Sequence, residues 1–184
     1  MQFIETPLTG AYVIELDRHE DDRGFFARTF CVEEFKARGL NPDIAQTNIS
    51  FNKIRGTVRG MHYQAPPSEE TKLIRCTRGS IYDVIVDLRH ESPTYLDHFG
   101  VELSRDCGKS IYVPPRFGHG FQTLEDHTEV HYQMGDFFAP EHARGFPYND
   151  SALGVSWPLP VTVVSEKDQN NPPLDRDALA ESVP

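Results

Sequence analysis

The sequence has few cysteines, a shortage of positive charge and no long apolar run. Its three cysteines, Cys31, Cys76 and Cys107, are an odd number without metal-type spacing, and they suit a reducing cytoplasm as small core residues. Acidic residues outnumber Lys and Arg by 28 to 18, and the formal net charge of −10 argues against general nucleic-acid binding, because phosphate contacts need a basic surplus. No stretch is long enough to span a membrane, and Met1–Tyr12 does not resemble a signal peptide. We therefore expect a cytoplasmic protein that binds neither nucleic acid nor membranes.

Helical patterns are equally scarce. Val32–Arg38, ending at Gly39, is the best candidate, and Asp177–Ser182 is predicted to form a short helix near the end of the chain. The predicted strands are Ala11–Leu16, Phe25–Phe30, Ile44–Phe51, Gly56–Gln64, Lys72–Cys76, Ser80–Leu88, His98–Leu103, Ile111–Val113, a strand ending at Leu124, and Thr128–Met134. Since no repeat or linker interrupts the 184 residues, we predict one all-β domain over residues 1–184, built as a sandwich or barrel.

Turn residues predict how these strands are connected. His19–Arg23 is predicted to be a polar turn, and Thr77–Gly79 is predicted to close a hairpin between its flanking strands. The chain after Asp136 is rich in Pro, Gly, Asn and Asp, which predicts long ordered loops. In the predicted strand Ser80–Leu88, alternation places Asp83 and Asp87 together, opposite a face that packs into a core, so the two acids lie outside or in a lumen.

The stretch Arg59–Lys72 carries the clearest chemistry. Gly60 permits a bulge that could turn Arg59 toward His62, and two prolines then end the strand. A histidine between two cations, Arg59 and Lys72, suits an anionic small molecule with a proton to lose. An ordinary surface strand with solvated charges is the alternative reading.

A second histidine, His119, is predicted to lie in a Gly-His-Gly turn. The spacing Pro115…His119…Phe121 resembles the second motif of cupins, which are double-stranded β-helix barrels that often carry a metal. Their first motif supplies His-x-His, whereas here His62 is followed by Tyr63 and Gln64. Because the ligand set is incomplete, we predict a barrel without a metal. Either histidine could instead be a hydrogen-bonded structural residue.

Taken in order, a series of short motifs resembles the dTDP-4-dehydrorhamnose 3,5-epimerase family. The motifs are Arg23-Gly24-Phe25-Phe26, Gln46-x-Asn48, Arg59-Gly60-Met61-His62-Tyr63-Gln64, Lys72, Tyr82-Asp83-Val84, His119-Gly120-Phe121, Ala139-Pro140-Glu141-His142, Ala152-Leu153-Gly154 and Ser165-Glu166-Lys167-Asp168. The resemblance implies an all-β, cupin-like double-stranded β-helix (a jelly-roll barrel) with extra N-terminal strands and short helices. It also implies a cofactor-free homodimer that converts a nucleotide-linked 4-keto-6-deoxy sugar, such as dTDP-4-dehydro-6-deoxyglucose, by inversion at C3, C5 or both.

The resemblance also implies a role for each site residue. His62 is the base that takes the proton beside the C4 ketone, Asp168 orients it, Tyr132 is the opposing acid, and Lys72 faces the developing enolate oxygen. Packing beside Val130 and Met134 is the alternative role for the tyrosine. The residues expected to hold the nucleotide and sugar are Arg23, Arg59, His119 and Lys167, with polar contacts from Gln46 and Asn48.

The sequence departs from the family at four positions. Arg28 and Ala143 stand where glutamates are common, Phe138 replaces a tyrosine, and Ile49 replaces a frequent histidine. If Phe25–Phe30 is a strand lining the cleft, Arg28 shares a face with two phenylalanines and alters which nucleotide carrier binds. The alternative is that Arg28 turns to solvent or pairs with an acid such as Glu33.

Three other functions therefore stay open. The first is an epimerase that acts at one carbon only, or on a CDP-, GDP- or UDP-linked sugar. The others are a metal-dependent cupin oxygenase or isomerase, and a cupin that binds a sugar without catalysis.

Overall fold

A computed structural model of the chain describes residues 1–175, which form an almost entirely β structure. The predicted helix Asp177–Ser182 lies outside the described residues. The strands are β1 (Gln2–Glu5), β2 (Tyr12–Glu15), β3 (His19–Asp21), β4 (Gly24–Phe26), β5 (Gln46–Asn52), β6 (Val58–Gln64), β7 (Lys72–Arg78), β8 (Ser80–Asp87), β9 (His98–Ser104), β10 (Ser110–Val113), β11 (Phe117–Thr123), β12 (Thr128–Met134) and β13 (Ala143–Gly145). Two short helices, α1 (Val32–Lys36) and α2 (Glu166–Gln169), complete this part of the chain.

Two antiparallel sheets face each other across the main core. The six-stranded sheet has the order β1-β2-β10-β7-β12-β5, and the five-stranded sheet has the order β13-β6-β11-β8-β9. Buried side chains from both sheets meet between them, including Ile74 and Val130 from one sheet and Ile85 and Phe121 from the other. The predicted cupin-like jelly roll is confirmed, with extra N-terminal strands and short helices added to it.

The predicted hairpin through Thr77–Gly79 is wrong. Strand β7 pairs with β10 and β12, whereas β8 pairs with β9 and β11, so the short connection passes from one sheet to the other. Gly79 has φ of 72° and lies against Thr128, which fits this sharp crossing. A glycine turn has the same local sequence signal whether the chain returns to the same sheet or changes sheets.

Both faces of β8 are buried. Ile81 and Ile85 enter the core between the sheets, while Val84 and Val86 pack outward against a second cluster that includes Phe146 and Leu153. The long loops predicted after Asp136 supply that outer cover, and they also contain β13 and α2, which the sequence did not predict. The acids of β8 are fully buried, so neither lies outside. Asp87 accepts hydrogen bonds from the loop that follows β8.

The N-terminal region differs most from expectation. The predicted turn His19–Arg23 is largely strand β3, which pairs with β4, and only residues 22–23 turn. The predicted strand Phe25–Phe30 ends at Phe26, because no strand of the described chain pairs with the residues after it. Phe26 is 76% exposed. Helix α1 begins at Val32 as predicted, and its Phe35 packs on the outer face of the six-stranded sheet.

Two further expectations concern the cysteines and membrane-spanning segments. Cys76 is a buried core residue as expected, whereas Cys31 and Cys107 are only partly buried. Within residues 1–175, no helix combines the length and apolar character needed to cross a membrane.

Candidate active site

A pocket of about 290 Å³ opens between the two sheets and contains most of the predicted site. Its lining residues are Asn48, Ile49, Ser50, His62, Tyr63, Gln64, Glu70, Lys72, His119, Tyr132, Met134, Phe138, Ala143, Arg144 and Lys167. Strand β6 brings His62 to one wall, and β12 of the opposite sheet brings Tyr132 to the other. The jelly roll therefore joins residues that are distant in sequence within one cavity.

His62 forms a short hydrogen bond with a buried carboxylate. Its Nε2 lies 2.7 Å from Oδ1 of Asp168, whose Oδ2 accepts a hydrogen bond from the Gly60 backbone N–H at 3.2 Å. Ser165 caps α2 by accepting from the Asp168 backbone N–H, which fixes the start of the helix. Burial alone would raise the pKa of Asp168, but these hydrogen bonds, chiefly the one with His62, hold it below its ordinary range. The His62 imidazole therefore faces an ionised carboxylate.

The predicted bulge at Gly60 is present. His119 of β11 pairs with His62, and Phe121 pairs with Arg59, so β6 has one extra residue in this interval. Gly60 has φ of 110°, and a Cβ there would lie 2.7 Å from the Cα of Gly120. Only glycine fits such an approach, and the bulge leaves its N–H free to hold Asp168.

His119 lies in strand β11, so the turn predicted for it is wrong. Its Nε2 lies 2.8 Å from Oδ2 of Asp83, which is 0% exposed. The flanking glycines suggested a turn, but here they allow close packing on Met61 and Phe146. The sequence left Asp83 either outside the barrel or in a lumen and gave it no catalytic role. Alternation along β8 could have assigned it to this site.

Tyr132 projects into the pocket from β12. Its ring meets the His119 ring edge-on, with 6.0 Å between centroids. Burial raises the pKa of the Tyr132 hydroxyl far above its usual value, the Asp83 carboxylate raises it further, and Arg59 opposes the change. The phenol therefore stays protonated at neutral pH and is available as a proton donor.

Lys72 lies in the same pocket and forms an ion pair with Glu70. Both residues are 7% exposed. The sequence predicted a cation at this position but gave no role to the glutamate, because Glu70 is in a loop where acidic residues are usually solvated. Contact between the two could be recognised only in the folded chain.

Besides His119, four predicted substrate contacts lie in or beside the pocket. Asn48, opposite Tyr132 in the register of β5 and β12, and Lys167 both line it. Arg59 donates to Oδ1 of Asn52 at 2.7 Å and is near enough to Tyr132 to lower the pKa of its hydroxyl. Gln46 accepts from the Phe138 backbone N–H at 3.2 Å, which anchors the loop that carries this pocket residue.

The two remaining predicted contacts are not in this chain's pocket. Arg23, at the tip of the β3–β4 hairpin, is 90% exposed and pairs with Asp21. Arg28 is 63% exposed and pairs with Glu34, so the cleft-lining strand proposed for it is wrong and the alternative of an acidic partner is observed. The partner is one residue beyond the expected Glu33, since α1 turns that side chain toward it.

Gln64 has a structural role at the position where cupins carry a metal-binding histidine. Its Oε1 accepts from the Ala139 N–H at 2.7 Å, and its Nε2 donates to Oγ of Ser68 at 2.8 Å. The first bond holds the loop after β12 against the pocket, and the second holds the loop after β6. Within residues 1–175, no group of three or more His, Cys, Asp or Glu side chains is placed to hold a metal ion.

The comparison with known families agrees with this geometry. The family model for dTDP-4-dehydrorhamnose 3,5-epimerase matches residues 5–176. The chain belongs to this family. Among curated dTDP-4-dehydrorhamnose 3,5-epimerases, that of Methanothermobacter thermautotrophicus is 40% identical over 176 residues, covering 94% of each chain.

Solved epimerase structures have the same fold. The Bacillus anthracis dTDP-4-dehydrorhamnose 3,5-epimerase, crystallised with TDP and PPi bound, superposes with a TM-score of 0.91 at 39% identity over 94% of this chain and 99% of its own. ChmJ of Streptomyces bikiniensis, a 3'-monoepimerase in complex with dTDP-quinovose, superposes with a TM-score of 0.86 at 30% identity, covering 96% and 88% of the two chains. The dTDP-4-dehydrorhamnose 3,5-epimerase family therefore provides both the fold and the isomerase class for this chain.

Proposed function

We propose that this chain epimerises a nucleotide-linked 4-keto-6-deoxyhexose, with dTDP-4-dehydro-6-deoxyglucose converted to dTDP-4-dehydrorhamnose as the leading reaction. The observation that carries the proposal is the placement of a carboxylate-backed base, His62, and a protonated phenol, Tyr132, on opposite sheets facing one pocket. Inversion at a carbon requires a proton to leave one face and another to arrive on the opposite face. Groups on two facing walls meet that requirement.

The proposed steps use only these side chains. His62 removes the proton on the carbon beside the C4 ketone, and the electron pair of that C–H bond moves to the ketone oxygen to form an enolate. Lys72 stabilises the developing oxyanion, and Asp168 stabilises the imidazolium. Tyr132 then donates its proton to the carbon from the other face. The phenolate is reprotonated and His62 deprotonated by exchange with solvent, which restores the starting state.

The nucleotide end of the substrate would lie toward the cationic rim. Lys167, Arg144 and Arg59 lie in or beside the pocket and offer positive charge to a diphosphate. Phe138 and Ile49 supply apolar surface near the same opening. The family's relatives are named for dTDP-sugars, which favours this carrier over CDP, GDP or UDP.

Exchange of solvent deuterium tests the proposed function. The purified enzyme is expected to incorporate deuterium beside the ketone of dTDP-4-dehydro-6-deoxyglucose, with inversion at C3, C5 or both detected by NMR. Parallel reactions with CDP-, GDP- and UDP-linked sugars should be slower. Pre-incubation with a chelator should not change the rate, because we propose no metal or other cofactor. Binding without exchange would show a sugar-binding protein, and loss of turnover restored by one divalent ion would show a metal-dependent cupin.

We further propose that the active form is a homodimer in which Arg23 and Arg28 of one copy reach the pocket of the other. Both arginines lie outside the pocket of their own chain, next to Phe25 and Phe26, which are exposed. Ile49 is also exposed, on β5 at the edge of the six-stranded sheet. A second copy would cover this apolar surface and bring further cations to the diphosphate.

Complementation distinguishes this dimer from an independent monomer. His62→Ala and Arg23→Glu variants are each expected to be nearly inactive, and co-refolding the two should restore measurable turnover. In a mixed dimer, one pocket would combine an intact His62 with an intact Arg23 from the other copy. Absence of recovery, together with a monomeric mass by light scattering, would contradict the proposed arrangement. We also place the enzyme in the cytoplasm, a location that fractionation of cells would test.

A further inference from the structure

Three basic side chains that line the pocket are each paired with a buried carboxylate. His62 is paired with Asp168, His119 with Asp83, and Lys72 with Glu70. The first two carboxylates are explained by the need to orient an imidazole. The third carboxylate is not explained in this way, because a lysine has no tautomer to fix and its ammonium group is usually solvated. A buried ion pair on a pocket wall therefore requires a separate explanation.

The surroundings show why Lys72 would not stay in place alone. It lies between β10 and β12, opposite Val113 and Met134, and its side chain is almost fully removed from solvent. Among the described residues, Asp168 and Asp83 are already committed to the two histidines, so Glu70 is the carboxylate that balances this ammonium. Burial disfavours an uncompensated ammonium, which either gives up its proton or swings toward water.

We propose that Glu70 is a positioning residue that keeps the Lys72 side chain directed into the pocket for the developing enolate oxygen. This inference rests on the proposed function, and it adds a residue to which the sequence gave no role. Glu70 acts through Lys72 and need not touch the sugar. The ion pair is present before substrate binds, so the cation is already in place when negative charge develops on the ketone oxygen.

The test is Glu70→Gln, which keeps the shape of the side chain and removes its charge. We expect kcat to fall about tenfold or more while KM changes by less than about threefold, because the lost interaction matters mainly in the transition state. Glu69→Gln is the matched control, since Glu69 is the exposed neighbour in the same loop. An unchanged kcat for Glu70→Gln would overturn the proposal.

A double-mutant cycle shows whether Glu70 acts through the lysine. In a Lys72→Met background, Glu70→Gln should change kcat by less than about twofold, because the group it positions is gone. Equal losses in both backgrounds would mean that Glu70 acts independently and would overturn the inference. The double variant removes both charges together, so it should remain folded even if one single variant does not. Glu70→Asp should retain part of the rate.

Competitive acetylation gives a measurement that does not depend on turnover. Lys72 should react slowly in the wild type and faster in Glu70→Gln, since an amine freed from its ion pair is either uncharged or more accessible. If the wild type shows no epimerase activity, the proposed function fails while this measurement still tests the pairing. If the wild type is active and labelling of Lys72 is the same in both proteins, only the inference about Glu70 fails.

Discussion

Replacing His62 with alanine is expected to lower the rate of deuterium exchange beside the ketone by a factor of about 10²–10⁴, the usual contribution of a positioned general base. His62 is held in the pocket by a 2.7 Å bond to the buried carboxylate of Asp168, and no other described base has this position. Nucleotide binding should be largely retained, because the cations proposed for the diphosphate are elsewhere. The measurement is NMR of exchange at each carbon, with dTDP affinity measured by calorimetry.

Two further variants make the His62 result specific. His62→Gln carries an amide N–H at about the position of the imidazole Nε2, so it can still hydrogen-bond to Asp168 but cannot act as the base. It should be as slow as the alanine variant while keeping wild-type stability. His98→Ala removes an exposed histidine from a strand of the same sheet and should exchange at the wild-type rate. Normal exchange in both His62 variants would show that another group removes the proton.

Replacing Tyr132 with phenylalanine is expected to separate proton removal from inversion. The ring still packs against His119, but the hydroxyl that delivers the second proton is gone. Net inversion should fall by about 10²-fold or more. Wash-out of the substrate proton on the His62 side should fall much less, because the base can still form the enolate.

The comparison requires both rates from one sample. Tritium or deuterium loss from labelled substrate reports proton removal, and chiral analysis of the product reports inversion. Tyr82→Phe is a suitable control, because this tyrosine packs outside the barrel against Trp157. Equal loss of wash-out and inversion in Tyr132→Phe would indicate a binding or packing role for the tyrosine.

Much of the barrel could be predicted from local alternation of apolar and polar residues. β12 has the predicted bounds, and the bulge at Gly60 follows from a glycine in an otherwise regular strand. The predicted hairpin after β7 is wrong because strand pairing is decided by the whole fold. The turn predicted at His119 is wrong for a similar reason. Glycines are required both in turns and where layers pack closely, so the sequence does not distinguish the two.

The site was predicted unevenly for a physical reason. A histidine between cations has recognisable chemistry, so His62 and Lys72 could be singled out from the residues themselves. Tyr132 was assigned only through the resemblance to the family. A partner such as Glu70 gains its importance only through burial beside Lys72, which no local pattern records. Arg28 was placed in the cleft because alternation was extended beyond the point where its strand ends.

The pairing of β6 with β11 constrains how this enzyme could be redesigned for other sugars. His62 and His119 are direct cross-strand partners, and Gly60 and Gly120 beside them leave no space for a side chain. The spacing between the two imidazoles is therefore fixed by main-chain hydrogen bonds, and a library randomised on these strands would yield mostly inactive clones. Diversity directed to the β5 edge and to the loop carrying Phe138 would alter the pocket opening while the reacting groups stay in register.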